Sequence, residues 1–247
     1  MEDNNTDLIS NELGTRRFLM KKIRLALIPG LVFCALLWIL HVVRITDIFN
    51  FNFYKLGIYP LRLSGLTGVV FSPLIHSSFS HLISNSVALL ILFTLLFYFY
   101  NQIAFKTVFM LWLLSGLLTW LIGRSSFHIG ASGLVFGLAF FLFFSGILRR
   151  HIPLTAVSMV VAFIYGSTIW SLLPITTYID VNLSWEAHLS GAVSGFILAV
   201  CFRKQGPQKP EVVWDDEADD DAIIEDIESL HKQNCKSENK NEQQLPE

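Results

Sequence analysis

Charge is what this chain has least of. Asp, Glu, Lys and Arg make up 15 % of its 247 residues, against about 25 % in ordinary soluble domains, while 53 % are hydrophobic and the mean hydropathy is +0.52. That balance excludes a water-soluble globular domain and leaves a membrane protein. Between positions 45 and 202 the only charges are Asp47, Lys55, Arg62, Lys106, Arg124, Arg149, Arg150, Asp180 and Glu186. Cysteine is nearly as scarce: Cys34, Cys201 and Cys235 have no metal-site spacing and imply no disulfide framework, so neither metal nor cofactor is expected. No nucleic-acid partner is expected either. No internal repeat indicates an inverted-repeat transporter, which weakly favours an enzyme.

What is present is apolar sequence in lengths suited to a bilayer. About 20 mostly apolar residues are needed to cross a core about 30 Å thick. Six segments meet or approach this, at about 25–43, 81–100, 103–122, 131–148, 153–173 and 185–202. The expected fold is therefore an all-α membrane protein of six transmembrane helices, with the lipid bilayer as its first partner. The fourth and sixth segments are short, and polar residues lie in their first turns. Those turns belong below the membrane surface, facing a cavity rather than lipid.

Six spans place both termini on one side. A cytoplasmic N-terminus puts eleven Lys and Arg on that side against four outside, Arg44, Lys55, Arg62 and Arg124. The expected location is the cell (inner or plasma) membrane, multi-pass, with both termini cytoplasmic. Basic residues at positions 16–24 precede an apolar run with no small-residue cleavage site behind it, which reads as an uncleaved signal-anchor.

The chain divides into a cytoplasmic N-terminal segment at 1–22, a membrane domain at 23–204 and an acidic tail at 205–247. Residues 1–14 are polar and expected to be disordered. The tail carries thirteen Asp and Glu against four Lys, too little apolar surface to offset ordering entropy. A solvated tail without specific role and a docking site for a cytoplasmic partner are its two readings. The connection at 45–80 is too long and too aromatic for a plain loop, and Pro60, Gly65, Gly68 and Pro73 interrupt it. It is expected to lie in the membrane interface as a platform.

Three polar groups stand out in the apolar segments. Gly130-Ala131-Ser132-Gly133 opens the fourth. The first N–H groups of a helix have no intrahelical partner, so Ser132 would have free backbone donors beside its hydroxyl, an arrangement that suits an oxyanion. A bare helix start with a small-residue packing face, Gly133 and Gly137, is the alternative. His188 leads the sixth segment, with Gly191 and Gly195 following it. An ionisable group inside a membrane helix is a functional candidate, and a buried neutral histidine bonded to a carbonyl is the plainer reading. Two small-residue faces, 133/137 and 191/195, would bring these helices close enough for Ser132 and His188 to hydrogen-bond. His81 and Asn85, four apart, share one face at the start of the second segment. They are either oxyanion donors or a polar interhelical pair. Phe136, one turn after Ser132, would stack on the imidazole or merely fill the core. No carboxylate completes a triad within the spans: Glu186 is about 200° around the helix from His188 and is expected to snorkel at the outer rim, and Asp180 lies in a loop. The expectation is a Ser–His dyad.

The pattern H-x4-H-x3-N, then GASG, then AH-x2-G-x3-G resembles the rhomboid family of intramembrane serine proteases, over residues 25–203. The resemblance implies Ser132 as nucleophile and His188 as base, with His81, Asn85 and the Ser132 N–H as oxyanion hole. It also implies that His76 helps to structure the first loop. The substrates would be single-pass transmembrane proteins, cut in or near the membrane-spanning segment. Two features depart from the pattern. Phe136 stands where many members have tyrosine, and the tryptophan–arginine motif of the first loop is absent, Leu61-Arg62 being the nearest. The alternative from another class is a non-proteolytic rhomboid-like protein that binds membrane clients; such relatives typically lack the serine or the histidine.

Overall fold

A backbone in lipid must satisfy its own N–H and C=O groups, so long apolar segments can cross only as helices or closed barrels. The computed structural model describes residues 3–174 and 184–210, with side chains from position 14 onward, and residues 225, 227–229 and 231 of the tail. Among them seven α-helices form: α1 Asp3–Thr46, α2 Thr67–Phe71, α3 Phe79–Phe99, α4 Ala104–Ile122, α5 Ser132–Arg149, α6 Ile152–Tyr165 and α7 Trp185–Cys201. A 3₁₀ turn, Gly166–Leu172, extends α6. Five stretches are long and apolar enough to cross a membrane, Gly14–Thr46, Phe79–Phe99, Ala104–Ile122, Ser132–Arg149 and Ile152–Leu172. The sixth member of the bundle, α7, has 17 residues, about 26 Å of helix. Asp180 lies outside the described residues.

One difference from the sequence reading concerns the first helix. Helix α1 begins at Asp3, so residues 3–14 are helical rather than disordered. Between positions 3 and 28 no proline interrupts it, and Gly14 alone is not enough to break a helix. The connection at 45–80 carries short helical elements: 3₁₀ turns at Phe53–Leu56 and Leu63–Leu66, then α2 and a further turn at Ser72–Leu74. The chain forms two compact units, Met1–Lys209 and Pro210–Glu247; in the second, residues 225, 227–229 and 231 are helical and exposed.

Helix α5 is the most buried of the spans. Leu134, Leu138, Phe141 and Leu142 join Leu89 and Leu92 of α3, Leu111 of α4 and Leu198 of α7 in one core. By contrast α6 turns its apolar surface outward, with Phe163 92 % exposed, as a lipid-facing helix does.

Helices α5 and α7 form the tightest pair because their glycines remove every Cβ from the crossing. A Cβ on Gly191 would collide with the carbonyl oxygen of Gly133, and one on Gly195 with that of Gly137. The other end of α7 is held by Arg149 of α5. Its guanidinium donates to the carbonyls of Phe202 at 2.7 Å, Gln205 at 2.7 Å and Pro207 at 2.8 Å, and its Nε donates to Ser145 Oγ at 2.9 Å. Carbonyls at and beyond a helix C-terminus lack helical partners and carry partial negative charge, so a cation there stabilises the end. Together these contacts fix α7 on α5 at both ends.

Candidate active site

Ser132 is the first residue of α5, and Ala131, the residue before it, makes no side-chain cap. The N–H groups of the first turn are therefore left without helical partners. The preceding turn requires Gly130, whose φ of +110° is one that side-chain-bearing residues rarely adopt. It also leaves room for His81: a Cβ at Gly130 would stand 2.5 Å from the imidazole Cε1. The Gly130 N–H donates to the carbonyl of Ser72 at 2.9 Å. The first connection thus supports the turn that presents the serine.

His81 and Asn85 come from the start of α3. Ser78 caps this helix, its Oγ accepting from the His81 N–H at 3.2 Å. The ring of His81 meets His76 edge-on, with centroids 5.2 Å apart. Four buried nitrogens here have no hydrogen-bond partner, His81 Nε2, Asn85 Nδ2 and both ring nitrogens of His76. Buried polar atoms are normally satisfied, so unpartnered ones ask for an explanation, and an absent acceptor is one. His76 itself is fully buried. Burial, then the neighbouring His81 and His41, and more weakly Arg44, push it down to about 3, so it stays neutral at physiological pH.

His188 lies in the first turn of α7, buried, with its ring stacked on Phe136 at 4.5 Å between centroids and 21° between planes. The phenyl ring that stands in place of a tyrosine keeps the stacking and lacks the hydroxyl. Nδ1 of His188 lies 3.2 Å from the Ser171 carbonyl oxygen and 3.1 Å from Ser171 Oγ. Among the described residues Ser132 Oγ makes no hydrogen bond to His188. Gly133, next to Ser132, lies against Ala187, next to His188: a Cβ on Gly133 would be 3.2 Å from the Ala187 carbonyl oxygen. Serine and histidine are each one residue from a direct α5–α7 contact. Catalytic hydrogen bonds are often long in ligand-free enzymes and tighten only with substrate.

Glu186 does not snorkel. Its side chain is only 2 % exposed and lies 3.6 Å from Arg124 Nε, with Ser184 Oγ 3.4 Å from its other oxygen. Ser184 caps α7, accepting from the Ala187 N–H at 3.2 Å, and lies 2.6 Å from His128 Nδ1. His128 Nε2 is 3.0 Å from the Arg124 carbonyl. A carbonyl can only accept, so the His128 proton is on Nε2 and its Nδ1 accepts from Ser184. Burial depresses the His128 pKa, against the pull of the Arg124 carbonyl and Glu186. The backbone of His128 exchanges two hydrogen bonds of 2.9 Å with Ile58 of the first connection. A carboxylate too costly to bury alone is thus tolerated because Arg124 pairs with it; the Ser184 hydroxyl lies near, but its one proton goes to His128.

Sequence reasoning did not single out Ser171, His128 or Ser184. The Ser184-Trp185-Glu186 start of α7 carried an N-cap signal that pointed to Ser184. Ser171 and His128 carried none, because their roles depend on contacts between distant segments.

The candidate catalytic residues and their supports fall inside one recognisable domain: the family model for the Rhomboid domain matches residues 64–205. The chain belongs to the rhomboid family. It is similar to uncharacterized proteins of Mycobacterium tuberculosis and Mycobacterium bovis, each 40 % identical over 151 residues, 58 % of this chain and 62 % of theirs. An uncharacterized protein of Mycobacterium leprae is 35 % identical over 177 residues, 68 % of each chain. The match thus spans under two thirds of the first two relatives. The rhomboid domain takes in His76, His81, Asn85, Ser132, Ser171 and His188, while α1 and the beginning of the first connection precede it. A rhomboid domain and several long apolar helices make this a multi-pass membrane protein.

Proposed function

We propose that this rhomboid-family protein is an intramembrane serine endopeptidase that cuts single-pass membrane proteins in or near their transmembrane segment. The observation that carries the reading is the α5–α7 crossing, where a Cβ on Gly191 would collide with the Gly133 carbonyl and where Ser132 and His188 adjoin the contact of Gly133 with Ala187. Ser132 Oγ attacks the scissile carbonyl while His188 takes the hydroxyl proton and returns it to the leaving amine. The oxyanion is held by the Ser132 N–H with His81 Nε2 and Asn85 Nδ2, both buried and without a partner in the protein. Water then hydrolyses the acyl-enzyme. Phe136 keeps the imidazole in plane by stacking. Both termini are cytoplasmic in this reading, and the site opens towards the opposite face. A peptide bond within a stable helix is shielded by its own hydrogen bonds, so substrates carry small or helix-breaking residues near the cut.

Labelling with a serine-reactive fluorophosphonate tests the reading. The wild-type protein is expected to label, and Ser132→Ala and His188→Ala to lose the label while remaining folded. Equal labelling of Ser132→Ala, or no labelling of folded wild type, would overturn it.

A further inference from the structure

We propose that Ser171 is the positioning residue of His188, supplying the acceptor that a triad takes from a carboxylate; the inference rests on the protease reading above. A neutral imidazole can serve as base only through the nitrogen that lacks the proton, so something must choose the tautomer. Both oxygens of Ser171 face His188 Nδ1, the carbonyl at 3.2 Å and Oγ at 3.1 Å. The carbonyl can only accept. The hydroxyl has one proton, and that proton goes elsewhere: Ser171 Oγ donates to the Thr168 carbonyl at 2.7 Å. Thr168 Oγ1 repeats the device one step back, donating to the Tyr165 carbonyl at 2.6 Å. Thr168 and Ser171 therefore both spend their protons on carbonyls three residues back, and Ser171 presents two acceptors to one ring nitrogen. That places the His188 proton on Nδ1 and leaves the Nε2 lone pair for the proton of Ser132.

No other acceptor competes for this role among the described residues. Glu186, two residues before His188, is engaged with Arg124. The turn that carries Ser171 is anchored beside the ring: Leu172 packs with Phe136 and Ala192. Phe136 thus fixes the ring plane and Ser171 its rotation and protonation.

The test uses the full-length protein in proteoliposomes, comparing Ser171→Ala, which removes Oγ and keeps the carbonyl, with Ser171→Thr, which keeps both acceptors. Ser171→Ala is expected to lower kcat about tenfold with KM unchanged, the loss of about one hydrogen bond to the base, and Ser171→Thr to restore it. Wild-type kcat in Ser171→Ala, or an equal loss in the threonine variant, would overturn the proposal. Imidazole 15N NMR gives a readout that does not need activity, with His188 assigned by comparison with His188→Asn. Wild type is expected as the Nδ1–H tautomer and Ser171→Ala as a mixture. An Nε2–H tautomer in wild type would overturn the proposal, whereas folded wild type that shows the Nδ1–H form but neither cleaves nor labels would overturn the protease reading alone.

Discussion

Helix α5 uses the same packing device at its two ends, and only one of them gathers the candidate catalytic groups. Near Ser132, Gly133 and Gly137 meet Gly191 and Gly195 of α7; near Arg149, Gly146 meets α6, where a Cβ would collide with Ser158 Oγ and the Leu154 carbonyl. Both crossings bring helix to helix at a glycine whose added Cβ would strike the facing helix. At the first, Ser132, His188, Phe136 and Ser171 gather within a turn of the contact. At the second, Ser158 spends its hydroxyl on helix carbonyls, with Phe143 O at 2.7 Å. Small residues at a crossing thus report proximity alone. A site arises where polar groups lead the helices that the glycines draw together.

The strongest way to break this comparison is one methyl group at the first crossing. Gly191→Ala would push α5 and α7 apart, because Gly133 O and Gly137 N, at 3.1 Å from the built Cβ, belong to backbone that cannot step aside. It is expected to lower stability by about 1–3 kcal/mol and the cleavage rate roughly 10²-fold, measured by thermal denaturation and by single-substrate cleavage in detergent. Near-normal stability and rate would show that this seam does not set the geometry.

Asn85→Ala separates chemistry from packing at the same end. If Nδ2 supplies an oxyanion donor, turnover falls by roughly 10²–10³ with the melting temperature little changed. A loss below about fivefold would make it interhelical glue instead.

Gly146→Ala is the converse. It is expected to cost about as much stability as Gly191→Ala, while the rate per folded molecule changes by less than about threefold, since no candidate catalytic group touches that crossing. A large loss of rate in the folded fraction would mean that the two ends of α5 are coupled.

The smallest effect is expected at Gly166, where an added Cβ meets nothing within 4 Å. Gly166→Ala is expected to leave activity unchanged and to stabilise by up to about 1 kcal/mol, through a less flexible unfolded chain. Destabilisation there would show strain in the turn that carries Ser171.

Much of this was legible in the sequence, for reasons that follow from the solvent. Lipid forces long apolar runs to be helices, so each of the six apolar segments could be located as a helix, five of them long enough to span, with the fourth placed at 131–148 against an observed Ser132–Arg149. Paired glycine spacings marked the α5–α7 crossing because only small residues permit it. What stayed hidden depends on contacts between segments far apart. Glu186 looked like a rim residue because its partner, Arg124, reaches it from a loop. Arg149 showed only as a topological charge, although it closes the end of α7 on three carbonyls. Ser171 sits 17 residues from His188 in a turn with no motif of its own.

The central claim is that Ser132 is a nucleophile brought into play by His188. Its most direct test is incubation of purified protein with a model single-pass substrate in proteoliposomes, with the product termini mapped by mass spectrometry. The account predicts a cut in or near the transmembrane segment by the wild type and none by Ser132→Ala or His188→Ala of equal stability. The same cut by folded Ser132→Ala, or an intact substrate with folded wild type across a panel of helix-destabilised transmembrane segments, would contradict it.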